Sequence, residues 1–577
     1  MVTLTCKGGG LVPAEEGADA AVVDGVGAGE RRRNLMSLYD VVDLQLAVKR
    51  VWDDKRDDAW PDILGYHDFR RQFEKNESTI RACLENPTTY EASRAHSIDI
   101  PKRGFTLRPG IIPCIRDRVI YQAVADLLAP SFEMEASVLS NRLVGPKSTR
   151  MFEQGVKLWK TFQDEIEDLC ADHQYVVETD IAAYFEHIYH RLLYDRLREI
   201  FCERFDEETI KETITLLKRL FGRWKGNTLS GFGIPQMSDP SSFFGNLYLD
   251  EVDKWLKAHG YVFRRYVDDV RVFTTTEPEA RKALSELVTK MRRIGLYVSS
   301  AKTRIRRAEE VVKELVGRRE QVGQFEAAFG SRQRDQVEAI VGPFQELFAS
   351  LVADPAHDDR LFRYCVNRAK RLSAWGIGEE SFYEWCIDRI IDQLSSMPHC
   401  TDVFTDFLSL FPDHVRIHDA VLDFIGDPYS IYPWQQMHLL ELLIRCDIVG
   451  HAKDRAVQSA CALLSQKSHP ACRAKAVILQ GKNGTYADRR DIRELYPIDE
   501  NIHVRRAILV GVQELDSDLR QMFYREVDSE SLEISCTVDY LNSLQEPVYH
   551  YYNPPQFPEL INDESDDLYD LGSDYFL

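Results

Sequence analysis

Apolar positions near the start of the patterned chain recur at helix spacing. Leu38, Val41, Val42, Leu44, Leu46, Ala47 and Val51 predict a helical segment from Ser37 to about Asn86. From Ile98 to Ile305 the pattern is mixed. Short β-rich runs (YVVETDIAAYF, YVFRRYV, VRVFTTT, LYVSS) alternate with longer helical stretches (EHIYHRLLYDRLREIFCERF, PEARKALSELVTKMRRIG), as in an α/β or α+β domain. After about Arg306 the strand signals fade. VEAIVGPFQELFASLVA, ESFYEWCIDRIIDQLSSM and WQQMHLLELLIRCDIV read as amphipathic helices joined by short polar turns. HPACRAKAVILQG and NIHVRRAILVGV resemble each other at a separation of roughly 32 residues, within the range of helical-pair repeats. From Phe344 to about Gln545 the expectation is therefore an α-solenoid of HEAT type, with an irregular helical bundle as the alternative.

Composition refines this division. A chain of 577 residues is too long for one core. Hydrophobic content of 44% and charged content of 29% are ordinary for a soluble globular protein. No run of about 18 apolar residues occurs, so no membrane partner is expected. Residues 1–35 are Gly/Ala-rich, lack the order of a signal peptide and are expected to be disordered. Met36 opens the patterned segment and is a candidate start. The 12 cysteines are scattered with no Cys-x-x-Cys pair, which argues against a structural zinc site or a disulfide framework and for a reducing cytoplasm. The net charge of −21 taken alone argues against nucleic-acid binding. The charge is uneven, however. No Lys or Arg follows Arg525, and residues 546–577 form an acidic tail expected to be disordered, whereas PKRGFTLRPGIIPCIRDR (Pro101 to Arg118) is basic.

The candidate chemistry lies in YVFRRYVDDVRVF. Apolar residues on both sides predict a β-hairpin with Asp268 and Asp269 at its tip. A Tyr-x-Asp-Asp string arises by chance in roughly one such chain in ten, so alone it is weak. Upstream, VVETDIAAYFEHIYH places Asp180 at the end of a β-branched run, where it can converge with the pair if the strands are neighbours. Three carboxylates without His or Cys suit a hard cation, Mg²⁺ or Mn²⁺. Two such ions serve phosphoryl transfer.

With these residues in place, the sequence resembles a reverse transcriptase. TDIAAYF resembles the family's first palm motif, and GFGIPQMSDPSSFFGNLYLDEVD the second. YVDD resembles the third, and IGLYVSSAKTRIRR the fourth, with Lys302 and Thr303 as its Lys-Thr pair. IDIPKRGFTLRPGIIPCIRDRVIYQAVA resembles the fingers motif of bacterial and intron-type members. The resemblance implies an α+β right-hand polymerase fold. Fingers and palm would span 98–305 and a thumb-like helical region 306–343. A helical N-terminal segment would precede them at 36–97, and an all-α HEAT-like domain would follow at 344–545. By position it implies Asp180 and Asp268 as main metal ligands, Asp269 as a secondary one, and the Ile181 backbone beside the nucleotide-side ion. Phe185 would be the steric gate against a ribose 2′-hydroxyl. Lys102 and Arg108 would grip the triphosphate, Gln236 would sit under the nascent base pair, and Lys302 would approach the leaving pyrophosphate as a general acid. Where the family often has Gly after Pro-Gln, this chain has Met237.

YFEHIYHRLL resembles the version of the first motif found in Abi-like and "unknown group" bacterial enzymes, which fuse the palm to a helical-repeat domain. That implies a cytoplasmic antiphage enzyme that makes DNA from dNTPs with two Mg²⁺ ions (Mn²⁺ in their place). Its partners would be an RNA template or nascent DNA, a non-coding RNA, and other copies through the helical repeats. Some members of that group work without a template and prime from a tyrosine. A retron- or group II intron-type enzyme and a catalytically inactive nucleic-acid-binding scaffold are the alternatives. RCDIVGH, with Arg445 and His451, loosely fits a HEPN-type ribonuclease spacing and is read as a chance match on a helix.

Overall fold

Asp43 shows how the helical N-terminal segment starts. Its carboxylate accepts the Leu46 N–H (2.9 Å) and caps the first long helix. Here and below the structure is a computed structural model that describes residues 38–55, 58–145, 148–224, 230–354, 359–551 and 557–560. The expected disorder of 1–35, the candidate start at Met36 and the end of the acidic tail lie outside the described residues. Four helices come first: α1 (Leu38–Val41), α2 (Leu44–Asp54), α3 (His67–Arg71) and α4 (Phe73–Glu85). Leu38, Leu44, Ala47 and Val51 are buried, while Val41 is exposed. These helices share one apolar core with the elements that follow them, so they belong to the same body.

The fingers motif folds as an antiparallel hairpin of β1 (His96–Pro101) and β2 (Leu107–Ile112), with Ile100 opposite Arg108. Helix α5 (Ile115–Leu128) follows. The basic stripe divides here. Lys102, Arg103 and Arg108 stay with the hairpin. Arg118 turns inward to Asp58 (2.7 Å) and Asp54 (3.1 Å), and Arg116 to Asp117 (3.1 Å), so those two cations are structural.

The palm is built from α6 (Gly155–Asp172), β3 (Tyr175–Asp180), α7 (Tyr184–His187), α8 (His190–Phe201), α9 (Glu207–Arg223), α10 (Asp239–Ala258), β4 (Val262–Tyr266), β5 (Asp269–Thr274), α11 (Glu277–Arg293) and β6 (Arg304–Arg307). The sheet order is β4-β5-β3-β6, antiparallel throughout. Alternation along the strands splits its two faces. Val177, Val270 and Val272 share a core with Leu287 of α11 and Leu249 of α10. Val176 and Phe273 pack with Phe162 and Ile166 of α6. The run LYVSS contributes only one bridge, Val298 to Ile181, and the fourth strand forms further on at RIRR. Ile305 packs against the core, while Arg306 pairs with Glu178 of β3 (3.5 Å) and with Glu314 just beyond the sheet (2.6 Å).

Helix α12 (Ala308–Ser331) then packs on α6 and β6 and is followed by α13 (Arg334–Ala339). The rest of the described chain is helical: α14 (Val341–Ala353), α15 (Asp359–Ala374), α16 (Glu380–Asp392), α17 (Thr401–Leu408), α18 (Val415–Ile425), α19 (Pro433–Arg445), α20 (His451–Leu463), α21 (Pro470–Asn483), α22 (Tyr486–Glu494), α23 (Ile502–Gly511), α24 (Ser517–Val527) and α25 (Leu532–Asn542). Helices α15, α17, α19, α21, α23 and α25 touch in succession, and α16, α18 and α20 form a second row. The two resembling segments are α21 and α23. They approach so closely that a Cβ on Gly481 would lie 2.3 Å from the Gly511 carbonyl oxygen, so position 481 needs glycine. No described helix is long and apolar enough to cross a membrane.

The helical rows return to the front of the chain. Trp60, Ile98, Ile100 and Ile112 share a cluster with Trp434, Met437 and Ala471. Helix α25 packs on α3. The buried Arg506 guanidinium donates to Asp62 (2.5 Å), to Asp68 (2.7 Å) and to the Thr537 hydroxyl (3.0 Å). Burial alone would raise the Asp62 pKa, but Arg506 holds it well below the usual carboxylate range. The start of the expected tail is also docked. Val548 exchanges hydrogen bonds with the Gln513 side chain (2.8 and 3.1 Å), and the Pro558 carbonyl accepts the Trp375 indole N–H (2.8 Å). This corrects the expectation of a free tail from 546. Tyr549, Tyr551 and Leu560 pack against the apolar core of the helical rows, which the segment's acidic composition concealed.

Removing the shared cation strands two buried carboxylates. Arg506→Ala is expected to cost about 3–5 kcal/mol in chemical denaturation. Arg455→Ala, which breaks half-exposed pairs to Asp419 and Asp423, is expected to cost under about 1 kcal/mol. Equal losses would show that the Arg506 network does not anchor the helical rows.

Candidate active site

The antiparallel register of β3 and β5 sets Asp180 opposite Asp269 at the end of the sheet. Both lie on the face that α6 covers further along, beyond its apolar contacts. Asp268 occupies the two-residue turn between β4 and β5. The turn is strained, because Val267 is held in the left-handed region (φ +52°), where a β-branched residue is rare. Two groups hold it there. The Ser140 hydroxyl accepts the Val267 N–H (2.7 Å), and Arg265 donates to the Val267 carbonyl (2.8 Å). Arg265 is itself locked by two hydrogen bonds to buried Asp253 of α10 (2.8 and 2.6 Å) and one to Asn246 (3.1 Å).

Backbone and hydroxyl bonds join the palm motifs around this tip. The Ile181 N–H donates to the Asp268 carbonyl (3.1 Å), and the Ser299 N–H to the Asp180 carbonyl (2.7 Å). Thr179 and Thr303 share a hydroxyl–hydroxyl bond (2.8 Å). Lys302, largely exposed, reaches the Asp180 carboxylate (3.0 Å).

Burial, with Asp180 beside it, pushes Asp268 up to about 6. Burial also pushes Asp269 up to about 6, against the pull of Arg271, with Asp180 and Glu178 adding to the rise. The fold therefore forces carboxylates together at an electrostatic cost that a divalent cation would offset. Among the described residues no three acidic, His or Cys side chains are gathered tightly enough to hold an ion as they stand. Asp180 is paired with Lys302, and Asp269 with Arg271 (3.1 Å). The donor set itself, all oxygen with two raised carboxyls, fits Mg²⁺ or Mn²⁺.

A cavity of about 510 Å³ opens from the carboxylates toward the fingers hairpin. All nine residues expected from the sequence line it: Lys102, Arg108, Asp180, Ile181, Phe185, Gln236, Asp268, Asp269 and Lys302. Phe185 is seated by a glycine. A Cβ on Gly245 would come within 3.3 Å of both the Phe185 and Tyr184 rings. Met237, where the resembling family often has Gly, takes the left-handed conformation (φ +60°) that suits glycine and is partly exposed. Arg108 is half-buried. Burial and then the neighbouring Arg363 lower its pKa, while Asp402, Glu186 and Asp268 pull the other way.

A second cavity of about 630 Å³ adjoins the first at Asp180, Asp269 and Lys302, and it contains Arg103, Arg271, Arg304, Arg306 and Arg318. Sequence reasoning missed Arg265, Arg271 and Arg360, which lines both cavities. For Arg271 the signal was present: it stands two positions after Asp269 on one strand, hence on the same face. Arg445 and His451 form no comparable constellation. Arg445 pairs with Glu441 (3.3 Å) and Asp406 (3.4 Å) at the end of α19, and His451 is exposed at the start of α20.

Residues 100–327, which hold every residue of this constellation but Arg360, match the family described as reverse transcriptase (RNA-dependent DNA polymerase). The chain thus carries a reverse transcriptase-type domain. Among curated proteins it is similar to Protein YkfC of Escherichia coli (strain K12), 28% identical over 167 residues. That match covers 29% of this chain and 42% of YkfC, so the chain spans less than half the length of this relative. Similar solved structures include apo telomerase from Candida Tropicalis truncated from its C-terminal domain (14% identity, 41% of this chain and 55% of that one, TM-score 0.28). Another is apo telomerase from the same organism (10% identity, 82% and 74%, TM-score 0.29). At such TM-scores the likeness carries no argument.

The raised carboxyls set a pH dependence. Their pKa values lie above the ordinary 3.8, so ionising them costs folding free energy as pH rises through about 6. Protons compete with Mg²⁺ for the same oxygens. The rise in melting temperature on adding Mg²⁺ is therefore expected to be full above pH 7 and to shrink as pH falls through about 6. Asp268→Asn should lose most of that rise at every pH. A Mg²⁺ effect that ignores both pH and the substitution would remove the carboxylates from the metal-holding role.

Proposed function

We propose that this chain is a metal-dependent nucleotidyltransferase, an RNA-directed or template-independent DNA polymerase of a bacterial antiphage defence system. The observation that carries the polymerase reading is the β3–β5 register, which brings Asp180, Asp268 and Asp269 to one end of a cavity bearing Lys102, Arg108, Phe185 and Gln236. Asp180, Asp268, Asp269 and the Ile181 carbonyl would hold two Mg²⁺ ions, or Mn²⁺. Bound there, the ions would supply charge neutralisation at the attacking and leaving oxygens.

The remaining roles belong to side chains. Lys102 and Arg108 present cations to a triphosphate from the fingers hairpin. Phe185 restricts the space beside the sugar. Gln236 supports the base. Lys302, exposed and mobile in rotamer, leaves Asp180 to meet the pyrophosphate, where its ammonium can donate a proton. The defence assignment rests on the first motif's Abi-like form and on the two helical rows, which we read as HEAT-like. A retron or intron role is the second reading, favoured only if the co-purifying nucleic acid is a branched RNA–DNA hybrid or an intron.

The test is incorporation of labelled dNTPs with Mg²⁺ or Mn²⁺. Asp180→Ala and Asp268→Ala each remove several kcal/mol of transition-state stabilisation, so activity should fall about 10²–10⁴-fold. Equal incorporation by wild type and Asp268→Ala would sink the reading. Phage protection that survives the double substitution would instead favour a scaffold.

Phe185→Ala gives a separate check on the nucleotide pocket. Opening space beside the sugar is expected to raise ribonucleotide incorporation relative to deoxyribonucleotide by about tenfold or more. An unchanged ratio would return Phe185 to a packing role.

A further inference from the structure

We propose that Arg360 contacts the triphosphate of the incoming nucleotide, so that the helical rows supply part of the nucleotide site; this rests on the polymerase reading above. Arg360 lies outside the matched reverse transcriptase domain, in the first turn of α15. That helix is anchored from behind, since Leu361, Phe362, Tyr364, Cys365 and Val366 are buried. Its start faces the fingers and palm. The Asp359 carboxylate accepts from His399 (3.0 Å) and pairs with Arg103 of the fingers hairpin (3.6 Å). One turn on, Arg363 is fixed by Asp402 (2.6 Å) and the His399 carbonyl (3.0 Å).

Between these two fixed residues, the Arg360 guanidinium sits over the Trp159 ring of α6, 5.4 Å from its centroid. There it lines the nucleotide cavity with Lys102, Arg108 and the three aspartates, and lines the second cavity as well. Its charge also opposes the rise of Asp269. Trp159 steadies this exposed guanidinium at the cavity wall. In a cavity shared with Lys102, Arg108 and Lys302, a guanidinium suits phosphate, which it can bind in bidentate fashion. An arginine supplied from outside the catalytic core serves phosphoryl transfer elsewhere in the same way. The triphosphate is favoured over a strand phosphate because Arg360 shares its cavity with Phe185 and Gln236, the residues placed beside sugar and base.

The experiment uses the full chain and three measurements. These are calorimetric binding of dATP with Mg²⁺, steady-state incorporation of dATP, and binding of a single-stranded oligonucleotide. Arg360→Ala should weaken dATP binding and raise KM about tenfold or more, the loss of one charge-assisted contact. Arg360→Lys should recover part of that loss. Melting temperature and oligonucleotide affinity should stay at wild-type values. The inference is overturned by wild-type dATP affinity in Arg360→Ala, by a loss confined to the oligonucleotide, or by a Lys variant as weak as Ala. Wild type that binds dATP in an Arg360-dependent way but does not incorporate it removes the polymerase reading and keeps the contact. Wild type that neither binds nor incorporates dATP removes both.

Discussion

Everything at the site depends on one pairing, the antiparallel register that sets Asp180 across from Asp269. Side chains alternate along a strand, so a slip of one residue would send one carboxylate to the α11 side of the sheet and destroy the site. The register must therefore be enforced against the repulsion of the groups it brings together. Burial does much of this: Val177, Val270 and Val272 fix one face, and Val176 and Phe273 the other. The turn is enforced by charge instead. Arg265 makes four hydrogen bonds, to Asp253, Asn246 and the Val267 carbonyl, and so helps hold a strained valine at the tip. A buried ion pair is weak evidence of stability in general. Here its role is geometric, because with the Ser140 hydroxyl it keeps Val267 left-handed and Asp268 at the corner.

The three aspartates were legible because their signals are local. A period-2 apolar run ending in Asp180, and two such runs flanking Asp268 and Asp269, are short-range patterns. The fourth strand was not legible for the complementary reason. Arg304 and Arg306 look like solvent-facing residues until Glu178 stands beside them in the next strand, and that neighbour is more than a hundred positions away. LYVSS had the composition of a strand but turned away after a single bridge, its backbone bonded to Asp180 and Ala182.

The basic stripe between Pro101 and Arg118 misled in the same way. Charge counted along the chain does not say which face it reaches. The hairpin carries Lys102 and Arg108 to the cavity, and the helix that follows turns Arg118 into the interior to meet Asp54 and Asp58. Farther contacts were beyond reach altogether. Arg506 meets Asp62 across most of the chain, and no periodicity in either segment announces the other. What was readable was that α21 and α23 resemble each other. That they press together through Gly481 and Gly511, and that the rows then close onto the fingers, is a fact of packing.

That closure bears on how an acidic protein could hold the anionic substrate proposed for it. Coulomb interactions between exposed charges are screened over about 8–10 Å at physiological salt, so a ligand in a cleft feels its walls and not the net charge of −21. In the nucleotide cavity four cations face Asp180, Glu186, Asp268 and Asp269, the second cavity has a cationic excess, and these cations come from separate parts of the chain. The fingers give Lys102 and Arg108, the palm gives Lys302, Arg304 and Arg306, and the helical rows give Arg360. Along the sequence, much of the acidic surplus falls in the segment after Arg525. A palm without the helical rows would retain its aspartates and lose one wall of that field. The helical rows therefore belong to the electrostatics of the site as well as to its support.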